Sequence, residues 1–141
     1  MVQPARISIT GTQRMEDTEP QTLELVTDGS YCYEPGFALL SYVESEMTGL
    51  EGVVTSFTVE DGKTVTLRRS GRLNAEMVFD RARPHDSLYD VGFGAMMISV
   101  VTEDMTVLLN EHGGVLDLDY RVEVEHALCS RNRYHIEIQT I

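Results

Sequence analysis

The stretch GVLDLDYRVEVEH, Gly114–His126, decides how the rest of the chain is read. Leu116, Leu118, Tyr120, Val122 and Val124 take alternate positions, and Asp117, Asp119, Arg121, Glu123 and Glu125 fill the positions between them. Successive side chains of a strand point to opposite faces, so the pattern is a strand with one packed face and one wet face. A hard-cation site is the competing reading of so many carboxylates. Calcium needs about six to eight oxygens converging on one point, whereas same-face carboxylates of an extended strand stand about 7 Å apart. The expectation is a solvated face and no metal site.

The same alternation recurs in both directions from this strand. Downstream, RYHIEIQTI reads as the last strand, joined to it around Ser130-Arg131-Asn132. Upstream, His112-Gly113-Gly114 reads as a turn, preceded by two runs, AMMISVVTE and MTVLLN. The first of these is rich in methionine, but Ile98, Val100 and Val101 are β-branched and favour a strand. Further back come HDSLYDV, the Gly92-Phe93-Gly94 turn, and NAEMVFD with Ala75, Met77 and Phe79 together. Asp61-Gly62 stands between GVVTSFTVE and KTVTLRRS, the strongest short hairpin signal, because both residues tolerate positive φ. FALLSYVESEM, Leu23 with Leu25, and Ala5 with Ile7 and Ile9 continue the pattern to the N-terminus. No window carries a 3.6-residue period with helix caps. Many strands joined by tight turns form a meander, and closure of a meander removes its exposed edges. The predicted fold is an all-β, antiparallel up-and-down barrel with little or no helix, one domain over residues 1–141.

Composition narrows the function classes. The chain has 141 residues, 42% of them hydrophobic and 24% charged, with a net charge of −12. That charge excludes a basic nucleic-acid footprint and argues against an anionic membrane surface. The start, MVQPARISITGTQ, has no apolar core of a secretory signal, and no apolar run approaches the roughly 20 residues of a spanning helix. With two cysteines, Cys32 and Cys129, in no metal-binding spacing, a cytoplasmic chain with free thiols is expected. His85, His112, His126 and His135 lie on four separate segments and form no ligand pair. There is no nucleophile elbow, P-loop or dinucleotide fingerprint, so no catalytic residue and no cofactor is assigned.

The informative charges are those that alternation puts among apolar residues. Arg69 continues the face of Val65 and Leu67, and Glu44 continues that of Leu40 and Tyr42, with Glu46 beyond. A buried charge is costly unless it is paired or hydrogen-bonded. Arg69 and Glu44 match as a guanidinium–carboxylate pair. In the competing reading Arg69 anchors a ligand carboxylate or phosphate, with Tyr42, Thr55 and Tyr89 as hydroxyl partners.

Several short motifs, in order along nearly the whole chain, carry a resemblance. They are L-S-Y-V-E at Leu40–Glu44, T-G-L-E-G at Thr48–Gly52, R-S-G at Arg69–Gly71, and Phe79. S-L-Y at Ser87–Tyr89, Gly94, and G-x-L-x-L-x-Y from Gly114 to Tyr120 complete the set. The chain resembles the YwiB-like family of small bacterial proteins, a domain of unknown function with a calycin-like β-barrel. The resemblance implies an antiparallel barrel of the broad class that includes lipocalins, and brings no activity and no catalytic residues. Such barrels often hold one small ligand, and charges on inner faces favour a polar or amphipathic one. The leading expectation is therefore a small-molecule-binding barrel with Arg69, Glu44, Tyr42, Thr55 and Tyr89 at its site. Behind it stands an interaction module or homo-oligomer that offers its acidic outer face to a basic partner. An enzyme using Glu44 or Glu46 as acid or base ranks last.

Overall fold

The computed structural model describes residues 2–15, 18–45, 49–90, 95–124 and 127–141, with the backbone alone described at 88–90, 95, 128 and 129. Glu46, the Gly92-Phe93-Gly94 turn, Glu125 and His126 lie outside the described residues, and Tyr89 is described by its backbone only.

The strands run β1 (Val2–Met15), β2 (Gln21–Glu34), β3 (Phe37–Val43), β4 (Val54–Glu60) and β5 (Thr64–Ser70). They continue with β6 (Asn74–Asp80), β7 (His85–Asp90), β8 (Ala95–Asn110), β9 (Gly113–Val124) and β10 (Ala127–Thr140). Each strand pairs antiparallel with its sequence neighbours, and β1 also pairs with β10, so the sheet closes into an up-and-down barrel. Closure leaves no long free edge, as the meander pattern demanded. The Asp61-Gly62 hairpin forms as read: the two residues take φ of 53° and 64°, and the Lys63 N–H donates to the Glu60 carbonyl at 3.0 Å.

Three connections differ from the sequence reading. AMMISVVTE and MTVLLN are one strand, β8, with a bulge between Thr102 and Asp104. The bulge inserts one residue and so shifts the alternation: Ile98, Val100 and Thr102 are buried on one side of it, Met105 on the other. A change of phase thus looked like a break. Ser130-Arg131-Asn132 has turn composition but lies within β10, where Arg131 pairs with Arg121 and Asn132 with Tyr120. Gly113 and Gly114 belong to β9 rather than to a turn, with φ of 113° and 140°. They are glycine because a Cβ would stand 2.1 Å from the Ile138 carbonyl oxygen and 1.9 Å from that of Leu108. Neighbouring strands approach too closely there for any side chain.

The strands are unequal, and the inequality shapes the interior. β1, β2, β8, β9 and β10 have 12 to 16 residues, whereas β3 to β7 have six or seven. β3 pairs with Ser30–Glu34 of β2, so the first half of β2 rises beyond it. Towards one end the barrel encloses a dry core, with Ile7, Phe57, Val65, Leu67, Phe79, Leu116, Leu118 and Ile136 almost wholly buried. Tyr31 seals this end by donating its hydroxyl to the Asn110 carbonyl at 2.7 Å. Burial, then the nearby Tyr33 and Cys32, pushes its phenol up to about 12. At the other end the long strands form a tall wall on one side only. None of the described residues forms a helix long and apolar enough to cross a membrane.

Candidate functional site

The overhang of the long strands leaves a cavity of about 830 Å³ at the end opposite Tyr31. The tall wall supplies most of its lining, from Gly11–Met15 through Val122 and Val124 to Ser130 and Asn132. The short strands contribute Arg69 from β5 and Met77 from β6. Met96, Ile98, Val122 and Val124 make an apolar side, and Gln13, Ser130 and Asn132 add polar groups. The floor is aromatic. Tyr134 and Tyr120 line it with ring centroids 6.1 Å apart. Behind them Phe57 meets Tyr134 edge-on at 6.1 Å, and Phe79 meets Tyr120 at 4.6 Å. Such offset and edge contacts are the favoured geometries of aromatic pairs.

Arg69 reaches this floor because alternation along β5 turns it inward with Val65 and Leu67. It is the last inward residue of the strand, just beyond the packed core, which is why a charge is tolerated there. Its Nη2 lies 3.4 Å from the Tyr134 hydroxyl oxygen.

The residues singled out in the sequence fall on a continuous line around the barrel. Tyr42 pairs with Thr55, Thr55 with Arg69, Arg69 with Ala75, Ala75 with Tyr89, and Tyr89 with Met96. Four separate strands thus bring Tyr42, Thr55, Arg69 and Tyr89 to one level. Glu44 stands one step past the end of β3. Its backbone is held by the Val53 carbonyl, which accepts its N–H at 2.8 Å, and by the Gly52 N–H, which donates to its carbonyl at 3.2 Å. Its side chain turns inward, and the residue is only 4% exposed.

Within this group the roles separate. The Thr55 hydroxyl donates to Glu44 Oε1 at 2.9 Å in a buried setting, and Tyr42 also hydrogen-bonds Glu44. Burial first, then the Glu44 carboxylate, holds the Tyr42 phenol protonated far above the usual tyrosine range. The nearby Arg69 guanidinium pulls the other way and is outweighed. Of the five residues expected at a ligand site, Arg69 lines the cavity; Tyr42, Thr55 and Glu44 form a buried polar group beside it. Tyr89 shares the level through its backbone. The sequence reading did not single out Tyr134, Asn132 or Ser130 for the site. Tyr134 gave a faint signal, a polar-tipped ring in phase with Ile136 and Ile138. Ser130 and Asn132 were concealed by their turn-like composition.

The outer acidic face is present as read. Asp119 is exposed, and the other described charges of β9 are partly so. Their charges are largely answered from within the molecule. Arg121 donates to Glu123 at 2.8 Å, and Arg131 donates to Glu103 at 3.1 Å. His135 contacts Asp117 at 2.6 Å and Glu137 at 3.0 Å, and hydrogen bonds to these two carboxylates raise its pKa. Among the described residues no three His, Cys, Asp or Glu side chains gather to hold a metal ion.

A closed antiparallel barrel, plugged at one end and hollow at the other, defines the structural class. A family profile described as a domain of unknown function, DUF1934, matches residues 7–136, and the chain belongs to that family. Its fold is also that of the ywiB protein from Bacillus subtilis, whose crystal structure superposes with a TM-score of 0.85 at 21% sequence identity. The match covers 99% of this chain and 93% of that one. No curated protein matches the sequence.

Proposed function

We propose that this is a binding protein of the calycin-like kind that holds a small polar or amphipathic molecule in the open end of its barrel. The observation that carries the reading is the cavity itself. Its volume of about 830 Å³ falls within the usual range of small-ligand sites. Its make-up, apolar walls with a few converging polar groups, is also that of such sites. Arg69 is the polar anchor. Tyr42, Thr55 and Glu44 hold the neighbouring backbone and side chains in place, and Tyr89 belongs to the same level. A cytoplasmic location is part of the same proposal and suits a chain with only two cysteines, in no metal-binding spacing.

The buried position of Glu44, away from the cavity lining, supports binding over acid–base catalysis. Docking of a basic partner on the outer face is less well supported, because Arg121, Arg131 and His135 already engage the carboxylates there. Native mass spectrometry of gently purified protein tests the reading. We expect an adduct of a few hundred daltons that is lost from Val122→Trp, which fills the cavity. If the adduct persists unchanged in a folded Val122→Trp variant, the ligand sits elsewhere.

A further inference from the structure

We infer that the uncovered edge of β2, Gln21–Thr27, is a docking edge that receives an extended segment of a partner protein as an added strand, apolar at alternate positions and basic between them. The inference goes beyond the cavity reading and does not depend on it. The first observation is an unfinished ladder. β1 pairs with β2 from Gln21 to Cys32, whereas β3 pairs with it only from Ser30 to Glu34. Alternate residues of a paired strand direct their N–H and C=O groups to opposite sides. About half of the backbone groups of Gln21–Thr27 therefore point away from β1, and among the described residues none of these meets another backbone group.

The second observation is what the segment lacks. Natural sheets blunt an open edge with proline, lysine, a bulge or a cover. Gln21–Thr27 contains no proline or lysine, keeps an unbroken register with β1, and has no paired cover among the described residues. β8, another long strand that outruns a short neighbour, is treated differently. A bulge lies between Thr102 and Asp104, just past the end of its pairing with β7, and the Thr102 hydroxyl accepts the Asp80 N–H at 3.0 Å. The fold blunts one overhang and leaves the other open.

The third observation is the side chains that flank the edge. Leu23 borders the cavity and is 44% exposed, and Val26 points outward and is 64% exposed. Continuing the β2–β3 register sets Val43 beside Asp28, one outward position from Val26, and Val43 is also exposed. An added strand lays apolar side chains against Leu23 and Leu25 on the inner face. On the outer face it meets Val26 and exposed Glu24, which suit a lysine or arginine whose stem covers the valine and whose charge answers the carboxylate. The next acid along that face, Asp28, is already engaged by Arg6 at 3.5 Å. A second copy of this chain fits the edge poorly, because Gln21–Asp28 holds two acids and no basic residue in a chain of net charge −12.

A fluorescein-labelled peptide, TKVKVKVT, titrated into the whole protein at physiological salt and read by anisotropy, tests the inference. We expect its two N-methylated isomers, one methylated at the lysines and one at the valines, to differ. The isomer whose methyl groups face β2 should lose about tenfold or more in affinity, and the other should lose little. Both isomers have the same charge and composition, so general attraction to an acidic protein predicts no difference. Glu24→Lys should weaken the unmodified peptide about fivefold, an attraction lost and a repulsion gained. Amide hydrogen exchange gives an independent reading: alternate amides of Gln21–Thr27 should exchange rapidly in the free protein and become protected by the peptide. No binding, or equal binding by the two methylated isomers, would overturn the inference. So would protection of all these amides in the free protein, and protection that grows with protein concentration would assign the edge to a second copy instead.

Discussion

Thr55→Val removes one hydroxyl and almost no volume, and it isolates the energetics of the buried polar group beside the cavity. Thr55 is wholly buried, and its hydroxyl donates to Glu44 Oε1 at 2.9 Å. Glu44 is itself nearly inaccessible to water, so a lost donor is not replaced by solvent. A hydrogen bond to a charged group contributes about 1.5–3 kcal/mol, and an unmet buried acceptor costs a similar amount. For 141 residues, an unfolding entropy of about 2.1 cal/mol/K per residue makes each kcal/mol equivalent to about 3 °C in Tm. Thr55→Val should therefore lower Tm by roughly 5–10 °C in calorimetry, with an unchanged urea m-value. The cycle with Glu44→Leu gives the coupling directly. In that background the carboxylate is gone, so Thr55→Val should cost less than about 0.5 kcal/mol. A Thr55→Val variant as stable as the wild type would refute the reasoning, as would the same loss in both backgrounds. The buried carboxylate would then draw its stabilisation from other groups.

Four further outcomes follow from the same structure. Gly114→Ala places a Cβ 1.9 Å from the Leu108 carbonyl oxygen at a φ of 140°, and should lose roughly 2–6 kcal/mol in urea unfolding through strain and overpacking. Gly62→Ala, with a φ of 64° and nothing within 4 Å, should lose only about 1–2 kcal/mol for the left-handed backbone. The folded-state pKa values of Tyr31 and Tyr42 are raised, so the unfolded chain gives up these protons first. Their contribution is then constant below pH of about 10 and falls as pH rises beyond it, which Tyr42→Phe should flatten in urea midpoints between pH 9 and 11. A Tyr42→Phe slope identical to that of the wild type would count against it. His135 is shifted upward by Glu137 and Asp117, so its contribution is complete below about pH 6.5 and fades as pH rises through the folded value. Titration of its ring proton by NMR should give a midpoint above 6.5, and His135→Gln should remove that part of the pH dependence.

Much of the architecture is legible in the sequence because a strand's period of two survives local noise. The alternation around Leu116–Val124, the Asp61-Gly62 turn and the absence of a helical period are each enforced by backbone sterics and one-sided burial. The errors occurred where that local rule is broken by a neighbour. The bulge at Glu103 shifts the phase of β8 to keep step with β9, and Ser130 with Asn132 sit in a strand because the hollow end of the barrel gives polar inward side chains room. Gly113 and Gly114 are set by carbonyls of β10 and β8, residues distant in sequence.

The candidate site divides in the same way. By itself the sequence determined which residues are anomalous: Arg69 and Glu44 are charges in phase with apolar neighbours, and desolvation makes such positions conspicuous wherever they occur. Only the tertiary structure decided what each one does. The pairing register of β3 to β7 set Tyr42, Thr55, Arg69 and Tyr89 in one row, and the inequality of strand lengths opened a cavity over Arg69 while leaving Glu44 enclosed. It also brought Tyr134 of β10 against Arg69 of β5, a contact across 65 residues of chain. Alternation fixes the face a side chain takes on its own strand. What stands opposite that face depends on how far the other strands extend, and that is a property of the closed sheet.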